Sequence, residues 1–507
     1  MKNGARQTLL WWASRPLNSL GTACSCLVWL ALLAGPYATA ADTWFEDFKN
    51  SASDKELHQF LYAMPKGGDL HNHLIGSVHP EWFLQAALDS KKQGYTYYTK
   101  VKINNCRVGS DEFGPDAYLL LFRTLSQVEF DALSDCERDE YIALSELAGE
   151  TRTAWLNSLR LDQAHEGRSE FFEAHWPRLG GFTSNPYLVA EILYLNMRSF
   201  GAEGLSYLET QTVVHGFKTP AGDPISPEAV AAIYRERLAQ RDAKATGVEV
   251  RFQLSLIRFL PNAEEVLEVL YRFVADNPDY VGINMVGRED NDKGHPLRFL
   301  ETFRALRRQI SGVHLSIHAG EVDEPNSHIR DTLLLGAERI GHGVNLMSDP
   351  ATMVLMRNST YLVEINLISN LLLEYVSDYD QHPFPEYLRT GIPVALSTDD
   401  RGMWDSTMTD EFFVAVKEFN LSWEEITRLS HNSIDHSFLD SSTKTRLSNE
   451  LRERLKSFEN RFKRRGPAAL AGIEPEYRGF LCRRYSLCGP QAEHCLLYTS
   501  PSPRDRG

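Results

Sequence analysis

The sequence predicts an α/β fold, a (β/α)8 TIM barrel with a helical insert after strand 1 and extra helices at its ends. Three observations predict it. Eight short runs of strand length, most of them rich in Val, Ile, Leu, Tyr and Thr, can be marked along the chain. Helical stretches with apolar residues three and four apart separate most of them, the order of a parallel sheet covered by helices. Histidine, aspartate or glutamate stands at the end of the first, fifth, sixth and eighth runs, and the carboxyl ends of barrel strands hold the chemistry of such folds.

In order, residues 41–63 read as a polar amphipathic helix leading into the first strand, 69–74 (DLHNHL). Residues from about 80 to 200 are mostly helical in pattern, with loops at 104–115 and 180–186. That is too long for one barrel connection, so an inserted helical subdomain is expected. Its Phe171, Phe172 and Trp176 read as core, with a substrate lid as the alternative. The alternation then becomes regular: strand 205–212 (LSYLETQT), helix 229–241, strand 248–258 (VEVRFQLSLIR), helix 263–275, strand 280–286 (YVGINMV), helix 297–309, strand 313–319 (VHLSIHA), helix 329–337, strand 339–344 (RIGHGV), strand 361–366 (YLVEIN), short helix 385–390 and strand 392–398 (IPVALST). Helices that include 409–419 and 441–463 close a unit expected to span 64–465, with a C-terminal extension at 466–494.

The chain has 507 residues, 43% of them hydrophobic, and a net charge of -15. It can bury a large core, and α/β barrels commonly exceed 250 residues as one unit. The acidic balance disfavours a nucleic-acid polymer as partner but not a small nucleobase compound. Lys2, Arg6 and Arg15 precede the apolar run 26–34 (CLVWLALLA) and then Ala38-Thr39-Ala40, with no acidic residue before Asp42. This is the pattern of a secretory signal cleaved after Ala40. A membrane anchor is the alternative, but the run is short for a span. The expected location is therefore secreted or periplasmic, with no membrane attachment after cleavage. Cys24 and Cys26 leave with the signal. In an oxidising compartment Cys106–Cys136 and Cys482–Cys488 are the simplest pairings, with four free thiols as the alternative. The tail 495–507 (CLLYTSPSPRDRG) fits nothing before it, looks like translated adapter read-through and is set aside.

His71 and His73 alternate along one strand, so they point the same way, and imidazole suits zinc. The later strand ends supply His318 with Glu321, His342, and Asp399 with Asp400; the fourth ends in Gly287. Each alone has a bland reading: His342 as a core histidine, Asp399-Asp400 as a helix cap, Gly287 as a turn. Together they predict one mononuclear Zn2+ per chain on His71, His73, His318 and Asp399, with a place left for water. Zinc lowers the pKa of that water to about 7. His342 could orient it or shuttle its proton, and Glu321 could act as general acid. YVGINMVG has no lysine to bridge a second ion, which favours a single one.

The motifs MPKGGDLHNHLIGS, SIHAGE, RIGHGV and LSTDD, in this order, resemble the adenosine deaminase family of metal-dependent hydrolases, from about residue 64 to 439. The signal pattern, insert and paired cysteines look like its secreted, growth-factor-related branch. The resemblance implies the same four zinc ligands, Glu321 protonating purine N1 as hydroxide attacks C6, and His342 positioning the attacking water. It places Asp399 with Glu321 and His342 in catalysis, and His73, Gly287 and Asp400 against the substrate, Gly287 near N3 and Asp400 near N7. The H-x-E and P-C-x-x-C signature of cysteine-based nucleotide deaminases is absent. Two departures stand out. Ile75 follows HxHL where many members have a polar residue that touches the sugar, leaving Glu209 and Trp176 as candidates for that contact. DDRGMW replaces the usual proline after DD and is expected to reshape the loop without touching the metal. The expected reaction is deamination of adenosine or 2'-deoxyadenosine to the inosine product and ammonia. Another 6-aminopurine (adenine or an N6-substituted one) is the alternative substrate, and a non-catalytic secreted binding protein the alternative class. The helix before the first strand is the candidate homodimer surface.

Overall fold

A strand with no polar face must lie in a layer covered on both sides, and Leu205–Thr212 is buried at all 8 positions. The computed structural model describes residues 43–104, 106, 119–290 and 292–488. The expected signal sequence with Cys24 and Cys26, most of the 104–115 loop and the 495–507 tail lie outside them. After β1 (Gly67–His73) come three short strands of the insert, β2 (Tyr97–Lys100), β3 (Thr124–Ser126) and β4 (Tyr141–Ala143). The main sheet continues through β5 (Leu205–Thr212), β6 (Glu249–Ile257), β7 (Tyr280–Val286), β8 (His314–Ala319), β9 (Arg339–His342), β10 (Leu362–Ile365) and β11 (Val394–Leu396). Its 8 strands run β1-β5-β6-β7-β8-β9-β10-β11, all neighbours parallel. Just past β11, the Asp399 N–H donates to the His71 carbonyl (2.9 Å) and the His73 N–H to the Asp399 carbonyl (3.2 Å). These two bonds close the sheet into a barrel.

The outer helices follow the apolar spacing. Ala263–Asp276 buries Ala263, Leu267, Leu270, Tyr271 and Val274, one face of a 3.6-residue period. β5 and β7 keep the boundaries expected from sequence. β11 is shorter, because Pro393 has no N–H for a ladder. Helices that were not foreseen include Pro350–Arg357, whose start is capped by Asp349 accepting from the Thr352 N–H, and Trp423–Asp435. The single helix expected at 41–63 is two, Trp44–Ser51 and Asp54–Ala63, divided where Ser53 and Glu56 form a capping box. Their aromatic face packs on Trp423, Phe458 and Phe462 of the same chain, so the surface expected to pair subunits is covered from within.

The insert is mostly helical, as expected, and it also holds a small sheet that was not: β2, β3 and β4 pair antiparallel in the order β3-β2-β4, strands too short for a period to show in sequence. Cys106 and Cys136 are joined beside it, and Cys482 to Cys488 in the C-terminal extension. The helix Pro186–Ala202 returns the chain to β5.

The barrel interior is polar as well as apolar. Arg339, at the start of β9, is 1% exposed and pairs with both Glu209 and Glu364, the latter at 2.6 Å. Glu209 also accepts from Gln253 (2.9 Å) and from the Phe438 N–H (3.1 Å). Removing one partner of such a cluster leaves uncompensated buried charge, at about 3–5 kcal/mol. Arg339→Met is therefore expected to lower unfolding stability by about that amount, measured by chemical denaturation; a midpoint equal to wild type would refute the assignment.

Candidate active site

β1, β8 and the end of β11 bring four side chains together. The Nε2 atoms of His71 and His318 are 3.1 Å apart, those of His73 and His318 3.2 Å, and Asp399 Oδ1 is 3.4 Å from His71 Nε2 and 3.1 Å from His73 Nε2. One donor atom from each thus lies within 4.8 Å of the others. A second cluster, His318, Glu321 and His342, meets the same limit, with Glu321 Oε1 3.7 Å from His342 Nε2. Two glycines make the room. A Cβ on Gly341 would meet the His71 ring at 2.6 Å, and one on Gly76 would overlap the Asp400 carboxylate. His342 and Asp399 both adopt left-handed backbone, φ +64° and +53°, a conformation that costs non-glycine residues energy and clusters at functional sites.

The donors are held from behind. His71 Nδ1 faces Glu364 Oε2 at 2.8 Å, and His318 Nδ1 faces Asn284 Oδ1 at 2.7 Å. The Ser369 hydroxyl donates to Asp399 Oδ2 (2.7 Å). These contacts turn each Nε2 and the Asp399 Oδ1 inward, and outer-shell partners of this kind fix tautomer and direction in metal sites. The set fits a divalent cation. Asp399 Oδ1 is buried with no hydrogen-bond partner among the described residues. Burial, then the neighbouring histidines, keep His318 well below the usual imidazole range, and burial lowers His73, the neutral state that ligation needs. Burial also opposes charge on His71, yet the Asp399 and Glu364 carboxylates beside it outweigh that and push the ring up to about 10. The pocket favours a positive charge at this point.

The other expected residues divide. His342 takes a hydrogen bond from Asn370 Nδ2 at its Nδ1 (2.9 Å), and burial lowers it to about 3. Glu321 is raised well above the usual carboxylate range by burial and then by Asp399 and Glu289; Asp400 by burial and then by Asp399. Asp400 Oδ1 is buried and unpartnered among the described residues. Gly287 ends β7 at φ +94°, and a Cβ there would strike the Phe259 ring at 2.7 Å. Trp176 lies 6.4 Å from His73, ring to ring, and with Phe172 packs half-buried against the core in which Phe171 is buried, as the core reading expects. Glu209 does not reach: Arg339, Gln253 and Phe438 hold it inside the barrel. Ile75 is half-buried. Arg401 is buried away from the metal donors, pairing with Glu203 (2.9 Å) and stacking on Phe200 (3.5 Å). Sequence reasoning missed Glu364, Asn284, Ser369 and Asn370. Only Glu364 left a signal, an acid inside the apolar run YLVEIN.

A sequence model of the adenosine deaminase family matches residues 179–454, a stretch that holds His318, Glu321, His342, Asp399 and Asp400, with His71 and His73 ahead of it. N6-methyl-AMP deaminase-L of Xenopus laevis is 28% identical over 254 residues, covering 50% of this chain and 71% of the relative. Adenine deaminase of Chelativorans sp. is 30% identical over 231 residues, 44% of this chain and 67% of the relative. Among solved structures, an adenine deaminase from Arthrobacter aurescens superposes with a TM-score of 0.56 at 21% identity, covering 77% of this chain and 99% of its own, and so shares the fold. With the family model matched over more than half of the chain, from ahead of β5 to beyond β11, the chain belongs to the adenosine deaminase family, a family of metal-dependent deaminases.

Proposed function

We propose that the chain is a zinc-dependent hydrolase that converts adenosine or 2'-deoxyadenosine to the inosine product and ammonia. The observation that carries this reading is that Glu321 stands beside the four-donor set, in one cluster with His318 and His342. Three imidazoles and one carboxylate suit a single zinc ion with an open position, and zinc when bound supplies hydroxide at neutral pH. Burial and nearby carboxylates disfavour charge on Glu321 and push it well above the usual carboxylate range, and in its protonated form it can give a proton to purine N1. That withdraws electrons from C6, where water adds and from which ammonia leaves. With its Nδ1 accepting from Asn370, His342 carries its proton on Nε2 and presents an N–H to the attacking water. Asp400, pushed up by burial and by Asp399, can in its protonated form donate to N7, and the Gly287 backbone faces N3.

The mouth supports a substrate without a phosphate. Arg168 is paired with Asp323 (3.2 Å), and Arg288 with Asp290 (2.6 Å) and Glu173 (3.2 Å). Trp176 is a flat apolar surface for the sugar. Ile75 supports a second reading, the free base or another 6-aminopurine, because an apolar side chain offers a ribose hydroxyl no hydrogen bond. Two disulfides support a secreted or periplasmic location.

Purified protein given adenosine, 2'-deoxyadenosine, adenine, N6-methylated analogues and AMP is expected to turn over the nucleosides fastest, with activity lost to a chelator and restored by zinc. An adenosine rate no higher than background would refute the first reading. Glu321→Gln is expected to lower kcat by about 10²–10⁴-fold while bound zinc stays near one per chain. Glu364→Gln removes the charge behind His71 and is expected to weaken zinc binding about 10–100-fold, read by competition with a chromogenic chelator; wild-type affinity would contradict the role given to Glu364.

A further inference from the structure

The peptide that carries both His318 and Glu321 is gripped from behind by a buried ion pair that the chemistry above does not use. Arg258, directly after β6, and Glu289, just past Gly287, both have side chains 0% exposed, and they lie 3.6 Å apart from Nη1 to Oε1. Their other atoms hold the end of β8. Arg258 Nη2 donates to the His318 carbonyl (2.5 Å) and to the Met285 carbonyl (3.0 Å). Glu289 Oε2 accepts from the Gly320 N–H (2.9 Å) and faces His328 Nδ1 at 3.2 Å. Gly320 sits at φ +77°, so the chain turns sharply between two held atoms, and Glu321 is the next residue.

We propose that Arg258 and Glu289 are positioning residues that aim the Glu321 carboxyl at the substrate. The inference rests on the reading of Glu321 as the proton donor. Both hold the backbone of the His318–Glu321 turn, and their charges also bear on the Glu321 carboxyl, Glu289 disfavouring its ionised form and Arg258 favouring it. A stability role explains the pair poorly. A buried ion pair offsets its desolvation only when its polar atoms are fully hydrogen-bonded, and Arg258 Nε and Nη1 and Glu289 Oε1 have no such partner among the described residues. Placement is where the pair can matter, since a 1 Å error in a reacting group costs about 10²-fold in rate.

The test is the double variant Arg258→Met/Glu289→Leu, which removes both charges together and so leaves no unpaired buried charge, beside Glu289→Gln, which keeps an acceptor for the Gly320 N–H. The double variant is expected to fold, to bind zinc as wild type does, and to lose about 100-fold in kcat with KM within about threefold on the best 6-aminopurine substrate. Glu289→Gln is expected to recover most of that loss. A crystal structure of the double variant should show the Glu321 carboxyl displaced from His342 by about 1 Å or more. Wild-type kcat, an unmoved carboxyl, or zinc affinity falling in step with kcat would overturn the proposal. A wild-type enzyme inert toward every 6-aminopurine would count against the deaminase reading instead, and the position of Glu321 in the crystal would still decide this one.

Discussion

Asp399 does two jobs with one residue, and the rest of the structure depends on it. Its backbone pairs with His71 and His73 to close the sheet, and its carboxylate joins the imidazoles of those same two residues. Closing the barrel and assembling the donor set are therefore one event. The left-handed φ of +53° at Asp399 is the conformation that lets the chain turn from ladder to site, and the surrounding packing holds it there. A chain that failed to close would have no site, because the backbone bonds of Asp399 and its carboxylate contacts lie at the same seam.

From that seam a polar chain runs down the barrel. His71 bonds Glu364, Glu364 bonds Arg339 and Ser316, and Arg339 bonds Glu209. Barrel interiors are usually layers of branched apolar side chains; here part of that space carries charge. The arrangement ties the direction of a metal donor to the foot of the barrel. It resists small displacements because each member has a partner on both sides, and it is vulnerable to the loss of any one. Glu321 lies off this line, on a turn held by a separate buried pair that also grips the His318 carbonyl.

Much of this was legible in the sequence because the chemistry sits where strands end, and strand ends are the most visible boundaries in an alternating α/β pattern. His71, His73, His318, His342, Asp399 and Asp400 each follow an apolar run, and the structure gathers all six. The small sheet of the otherwise helical insert was missed because β2, β3 and β4 are strands of only 4, 3 and 3 residues. Two such positions on a face carry no periodic signal. Glu209 looked available because alternation does not say how far along a barrel a side chain sits, and Arg339 captures it. The pairing of Arg258 with Glu289 was invisible for a similar reason: each lies in a loop, and only the barrel's curvature brings them together behind β8.

The central claim is that barrel closure places one divalent cation among His71, His73, His318 and Asp399, with the Glu321 carboxyl beside it but not bound to it. Anomalous diffraction at the zinc edge from crystals of the purified protein tests it most directly. The account predicts one peak about 2.0–2.2 Å from the Nε2 atoms of the three histidines and from Asp399 Oδ1. A peak ligated instead by Glu321 and His342 with His318, the neighbouring cluster that could also hold an ion, or none at the β1–β11 seam, would contradict it.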